Sequence, residues 1–424
     1  MRAGGFPEEQ VRARALGGAA EAFPPVESYG HEVFGQNAFA GAQPADELDA
    51  ARLVPPVFMP LRLEKLIDLG REPLQSDVDL TTTIGGFTSA LPVFLSAFGS
   101  TRIGSSEVSV AASRQAGALG IPMVIGENVV PVTGYHRDPG TTTGMLARVR
   151  AYLDEAGPAH GGVVVQQSTE DADAEVWNLV YSDPSAEPLL ASGRLGFELK
   201  VGQGAKPGLG GLTVLDRATA ARVSEQFAID DLWSSGPGVL RSGSPGTFTD
   251  EILRQQIRFM RNNFPRARIW VKLHPGRDVA QAAACAWEAG ADAVTVDGAE
   301  GGTGWAPRAF LDHVGLPLAE CLRRIGQPAG CLLTTGRMWE GGRAVKALAS
   351  GATAVGLGRA ALTAVDADPD HGLRRLVECL AYELRLLISA LGKYSPAALG
   401  TEDVWFPGSS GAADTAHRHR ESLT

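Results

Sequence analysis

Eight short apolar runs punctuate the chain between residues 91 and 358. They read LPVFLSAFG (91–99), IPMVIG (121–126), GGVVVQQ (161–167), RLGFELKVG (194–202), RIWVKL (268–273), DAVTV (292–296), CLLTT (331–335) and TAVGLG (353–358). Most are continuously apolar, as in strands buried on both faces. Amphipathic helical patterns lie between several of them: SEVSVAASRQAGALG, TDEILRQQIRFMRNNFP, RDVAQAAACAWEAG and EGGRAVKALASG. Such alternation predicts a parallel sheet covered by helices. Eight strands fit a closed α/β barrel of the (β/α)8 TIM type. An open doubly wound sheet is the second reading, but no GxGxxG follows the first strand. Residues 372–392 predict one long amphipathic C-terminal helix outside the barrel. Residues 1–60 hold Gly, Pro and Ala with little periodicity and predict an N-terminal extended arm packed on the body. The expected division is therefore arm 1–60, barrel with its closing helix 61–400, and tail 401–424.

Two glycine-rich stretches stand out against this pattern. Residues 290–304 enter GAEGGTG from an apolar strand, and residues 330–359 pass through Gly336–Arg337 to Gly358–Arg359. A buried strand that opens into a glycine loop and then a helix presents backbone N–H groups to a phosphate. Glycine permits the close approach and the positive φ that such a turn needs. Gly301, Gly302 and Gly304 are candidates for backbone near a cofactor. Gly336, Arg337, Gly358 and Arg359 are the phosphate candidates, with Arg337 adding a side-chain clamp. A surface arginine is the competing reading of Arg337.

Composition narrows the partners. Forty-eight acids against 38 Lys+Arg give a net charge of −10, so nucleic acid and an anionic membrane are not the expected partners. No run of 18 uncharged apolar residues occurs, and MRAGGFPEEQ lacks the apolar centre of a signal peptide. Cys285, Cys321, Cys331 and Cys379 are scattered without CxxC or CxxH spacing, which suits buried thiols in a reducing compartment. A cytoplasmic protein is expected. Glycine, 52 residues and about 12% against a usual ~7%, fits many tight βα turns.

Residues 198–211, ELKVGQGAKPGLGG, resemble the signature of the FMN-binding domain of glutamate synthase. So do Val271–Lys272–Leu273, GGTG at 301–304 and SAFG at 96–99. Gly126–Glu127 is similar to that family's Gly-Glu-Gly-Gly segment, and ALGKYSPAAL (390–399) to its C-terminal helix exit. The resemblance runs in order over roughly residues 50–400. It implies FMN at the C-terminal ends of the barrel strands, with Ser96 and Gly99 as first-strand flavin contacts. The departures are specific. Where the family places three cluster cysteines, this chain has TAVDADPDHG (363–372), so no iron–sulfur cluster is expected. No amidotransferase segment with an N-terminal Cys nucleophile is recognised. A Pro-rich, His-containing loop is replaced by SSGPGVLRSGSPGTFTD (234–250). The His-Asp before GGTG is Ala299–Glu300, and the Gly-Gly of the phosphate turn is Gly336–Arg337.

Within this frame Lys272 is a cation on an apolar strand, placed to stabilise negative charge at the N1/O2 edge of reduced flavin. A buried structural ion pair is the competing reading. Lys200 and Gln203, near the end of another strand, suit the flavin edge, and Lys200 with Lys206 suits a substrate carboxylate. Glu127 and Glu300 are acid–base candidates for a substrate amine, and each is equally readable as a loop cap. His274 reads as a turn histidine with a structural hydrogen bond. No Ser-His-Asp, HExxH or Walker pattern is present.

The function expected is an FMN-dependent oxidoreductase acting on the C–N bond of a small amino or imino acid, or a 2-oxo acid plus amine. An FMN isomerase without net redox and a flavin-binding subunit of a larger complex remain open. Expected partners are a small carboxylate or amine substrate and an external electron-transfer protein or partner subunit, with self-association open.

Overall fold

The computed structural model describes residues 2–36, 44–58, 71–98, 106–126, 144–168, 174–201, 212–225, 228–233, 236, 238–242, 249–302 and 306–408. Each predicted apolar run supplies one strand of a closed parallel barrel. The strands are β1 (Val93–Phe98), β2 (Met123–Ile125), β3 (Val163–Ser168), β4 (Leu195–Val201), β5 (Arg268–Leu273), β6 (Ala293–Asp297), β7 (Leu332–Thr335) and β8 (Ala354–Leu357). The barrel closes where Val355, Gly356 and Leu357 pair with Val93, Phe94 and Leu95. That pairing removes the open-sheet alternative. The outer helices are α1 (Ser106–Leu119), α2 (Met145–Glu155), α3 (Ala174–Ser182), α4 (Asp250–Asn263), α5 (Val279–Glu288), α6 (Leu318–Ile325), α7 (Gly341–Ala349) and α8 (Arg359–Ala367).

Alternate residues of each strand point to the barrel axis. At the N-terminal end these are Phe94, Val124, Val164, Trp270, Ala293, Leu333 and Ala354, which form one buried apolar cluster with Ile84 and Phe87. Ile84 and Phe87 come from a hairpin, Thr82–Ile84 with Phe87–Ser89, that stoppers this end. Its turn, Gly85–Gly86, sits at φ +54° and +91°. A Cβ on Gly85 would lie 2.2 Å from the Trp270 indole nitrogen, so only glycine fits there. Trp270 Nε1 donates to Gly85 O at 3.0 Å, and its ring packs against Phe87 and Phe94. The hairpin was not anticipated from the sequence, although IGGF between β-branched residues is its local signal.

Between β4 and α4 the chain builds a three-stranded antiparallel sheet from Thr213–Asp216, Ala228–Asp230 and Gly238–Ser242. The N-terminal arm packs on the body and carries the helix Glu8–Gly17, which lies against α8 and the long C-terminal helix Gly372–Ala390. Arg14 fixes that contact, pairing with Glu383 at 2.6 Å and lying over Trp339. Further along the arm, Arg52–Leu53 pairs with Val404–Trp405. No helix among the described residues is long and apolar enough to cross a membrane.

Trp270→Phe tests the stopper. It keeps an aromatic ring but leaves the buried Gly85 carbonyl without its donor, at a cost of about 1–3 kcal/mol. Urea unfolding should show the loss as a lower midpoint. An unchanged midpoint would mean that the hairpin does not depend on the indole bond.

Candidate functional site

Above the apolar stopper the barrel interior turns polar. Trp270 and Glu198 are register partners on β5 and β4, and Gln166 on β3 is the partner of Glu198 on its other side. Glu198 is buried and accepts from Gln166 Nε2 at 2.5 Å and from Thr295 Oγ1 at 2.9 Å. Two residues beyond Trp270, and so one layer higher, Lys272 lies 3.1 Å from Asp297 Oδ2. Both side chains of that pair are buried. Burial pushes the Glu198 carboxyl above its ordinary range, against the pull of the Lys272 charge and the two hydrogen bonds, while Asp297 adds to the rise. One ammonium thus serves two carboxyls inside the barrel. On the adjoining strand Thr335 Oγ1 is buried without a hydrogen-bond partner among the described residues. Gly356 leaves room beside it, since a Cβ there would lie 2.6 Å from Thr335 Cγ2.

A second locus forms at the ends of β7 and β8. Gly336 and Arg337 have φ of +139° and +56°, and Arg337 is the one non-glycine residue with positive φ among the described residues. Gly358 caps the start of α8; no side chain caps that helix, and a Cβ on Gly358 would meet nothing within 4 Å. Arg359, the first residue of α8, donates to the Glu300 carbonyl and lies 4.7 Å from the Phe6 ring centroid. No carboxylate among the described residues pairs with it. Burial, and then the Arg337 and Arg343 charges, pull its guanidinium down to about 10. Gly302 makes way for the same side chain, as a Cβ there would lie 2.7 Å from Arg359 Cδ. A partly buried guanidinium repelled by two others is a place that favours an anion.

Arg337 Nη1 bonds Asp49 and lies 3.8 Å from Asp46, both on the N-terminal arm. Its Nε is buried without a hydrogen-bond partner among the described residues. Glu300, expected as an acid–base group, turns both carboxylate oxygens to the Leu318 N–H at 3.0 and 3.1 Å and so caps α6. The loop-cap reading describes this geometry, although burial holds the Glu300 carboxyl above its ordinary range. Lys200 is half-buried on β4, with Ser168 and Lys272 as register partners. Ser96 is buried on β1, and Gly301 sits in a turn closed by its N–H to Gly298 O at 2.9 Å. His274 Nδ1 lies 3.3 Å from Val201 O, a structural contact at the end of β4. Glu127, Gly99, Gln203, Lys206 and Gly304 lie outside the described residues. The cysteines are free, and burial pushes the Cys321 thiol up to about 12.

Glu198, Asp297, Asp46 and Asp49 are among the residues of these loci that were not singled out in the sequence. Glu198 shares the face of Lys200 two positions on, and Asp297 shares the face of Thr295, so strand parity carried a signal for both. Asp46 and Asp49 had no local signal, since their partners are nearly 300 positions away.

Residues 189–368 match the family described as conserved region in glutamate synthase. The barrel carries that conserved region from β4 through α8. The chain is 34% identical over 187 residues to the archaeal-type glutamate synthase [NADPH] of Dehalococcoides mccartyi, covering 42% of this chain and 36% of that one. It is 30% identical over 248 residues to the glutamate synthase [NADPH] large chain of Azospirillum brasilense, covering 53% and 15%. The match therefore spans well under two thirds of either relative. Among solved structures, a soluble mutant of (S)-mandelate dehydrogenase from Pseudomonas putida superposes with a TM-score of 0.54 at 18% identity, covering 94% of this chain and 99% of that one. A flavocytochrome b2 mutant gives 0.53 at 17%, covering 85% and 77%. These structures share the barrel fold.

The buried carboxyl at the barrel axis has a measurable consequence. Glu198 holds its proton more tightly in the folded state than in the unfolded chain, so its contribution is full below the ordinary carboxyl value of 4.5 and is lost as pH rises through the raised folded value. Thermal stability should fall as pH rises from the ordinary carboxyl value through the raised folded one, and Glu198→Gln should remove part of that fall. A variant whose melting curves fall as steeply as the wild type's would place the loss in other groups, such as Glu340, which burial also raises.

Proposed function

We propose that this chain binds FMN across the C-terminal mouth of its barrel. In this reading it acts as an oxidoreductase on the C–N bond of a small amino or imino acid, or of a 2-oxo acid plus amine. The observation that carries the reading is Arg359: a partly buried guanidinium with no acidic partner among the described residues, at an uncapped helix start beside open space. That is a site for a phosphate. The residues between it and the axis fit the rest of the group. Thr335 Oγ1 is buried and unpartnered, and the Lys272–Asp297 pair supplies charge one layer above the stopper. The match to glutamate synthase and the presence of an FMN adduct in a mandelate oxidase of the same fold, TM-score 0.52 at 19% identity, support the same assignment.

FMN, when bound, supplies hydride acceptance and donation at N5. The protein's part is positioning and charge. Arg359 and the α8 backbone hold the phosphate. Lys272 stabilises negative charge at the flavin edge, and Asp297 limits how much of the ammonium charge is available. Lys200 meets the substrate carboxylate, with Lys206 and Glu127 completing the substrate side.

Acid-released cofactor from the purified protein should weigh as FMN at one per chain, with essentially no iron. Recovering FAD, or no uptake on reconstitution with FMN, would overturn the reading. Lys272→Met should lower the flavin reduction potential, since a charge-assisted contact contributes about 1.5–3 kcal/mol. Asp297→Asn should raise it by releasing the ammonium. Equal potentials in both loaded variants would remove the pair from the flavin site. An amine-bearing carboxylic acid should bleach the flavin anaerobically in stopped flow; rearrangement of a substrate without electron uptake would favour the isomerase.

A further inference from the structure

The N-terminal arm reaches the phosphate turn through charge. Asp46 starts the short helix Glu47–Ala50, accepting the Asp49 N–H at 3.0 Å. From there both carboxylates meet α7. Arg343, fully buried, donates from Nη1 to Asp46 at 2.7 and 2.8 Å and to Asp49 at 2.6 Å, while its Nε donates to Gly336 O at 3.0 Å. Asp49 also takes the Arg337 guanidinium, and Lys346 Nζ donates to the Asp49 carbonyl at 2.9 Å. The turn is thereby held at two points, at the Gly336 carbonyl through Arg343 and at residue 337 through its own side chain. Arg337 needs such a hold, because its φ of +56° is a left-handed conformation that a residue with a Cβ avoids.

We propose that Asp46 and Asp49 are positioning residues of the anion site. They hold the Gly336–Arg337 backbone in its left-handed form and withdraw Arg337 from the ligand, so that Arg359 is the guanidinium that reads the phosphate. The inference rests on the FMN reading and adds a cofactor-positioning role for a segment nearly 300 residues upstream of the turn. It also makes residue 337 replaceable by glycine but not by alanine. Glycine adopts the turn unaided, whereas alanine has neither the tether nor the freedom.

The test is equilibrium binding of FMN and of riboflavin, which lacks the phosphate, to wild type, Arg337→Ala, Arg337→Gly, Asp49→Asn, Asp49→Asn/Arg337→Gly and Arg359→Ala. Asp49→Asn leaves Arg343 paired with Asp46 and so avoids stranding that buried charge. Arg359→Ala should weaken FMN about tenfold or more with riboflavin affected far less, the loss of one charge-assisted bond. Arg337→Ala and Asp49→Asn should each weaken FMN about tenfold through the backbone. Arg337→Gly should bind FMN within about threefold of wild type and should recover the affinity lost in Asp49→Asn. If Arg337→Gly loses FMN as Arg337→Ala does, the guanidinium is itself a phosphate ligand and the proposal falls. If Asp49→Asn binds FMN as wild type does, the arm has no positioning role. A wild-type protein that binds neither flavin would overturn the FMN reading, and this inference with it.

Discussion

The apolar stopper at the N-terminal end of the barrel is the constraint on which the rest of the structure depends. Trp270, Phe94, Phe87 and Ile84 close that end with carbon, and the one polar demand of the indole is met by Gly85 O. Charge enters beside this layer only with polar partners, as at Glu198, the register partner of Trp270, which takes hydrogen bonds from Gln166 and Thr295. Among the described residues the charged groups gather in two loci: Glu198, Lys272 and Asp297 near the axis, and Arg337, Arg343 and Arg359 at the ends of β7 and β8.

Compensation separates the cations. Losing one partner of a buried ion pair costs about 3–5 kcal/mol, so buried charges tell by their partners what they serve. Lys272 has Asp297, and Arg343 has Asp46 and Asp49. Arg359 has a carbonyl and an aromatic face, and two arginines that repel it. The difference is why the proposed phosphate site is centred on Arg359. It also explains why the aspartates of the arm matter, because they confine two of the three guanidinium charges to structural work.

The arm and the C-terminal helix turn a barrel into a site. The helix Glu8–Gly17 is anchored to the C-terminal helix by Arg14 and Glu383 and to α8 by Arg12 and Asp366 at 2.7 Å. That anchoring carries Phe6 onto Arg359. Glu300, at the far side of the Arg359 side chain, fastens α6 through Leu318. The surroundings of Arg359 are thus drawn from the N-terminal arm and from the loop after β6.

The sequence by itself determined the barrel. Continuous apolar runs of five to nine residues separated by amphipathic helices permit few other arrangements, and all eight strands lie where the pattern puts them. It also located the tight turns, since glycines with charge after β6, β7 and β8 mark them whatever the surroundings. Strand parity placed Lys272 inside. What it could not decide was how charges are shared. That Arg337 and Arg343 meet Asp46 and Asp49, and that Glu300 meets the Leu318 N–H, no local pattern announced. Local pattern reports which face a side chain takes, because backbone geometry repeats every two or 3.6 residues. It does not report which opposite charge arrives there from the far end of the chain, and only the folded packing settles that.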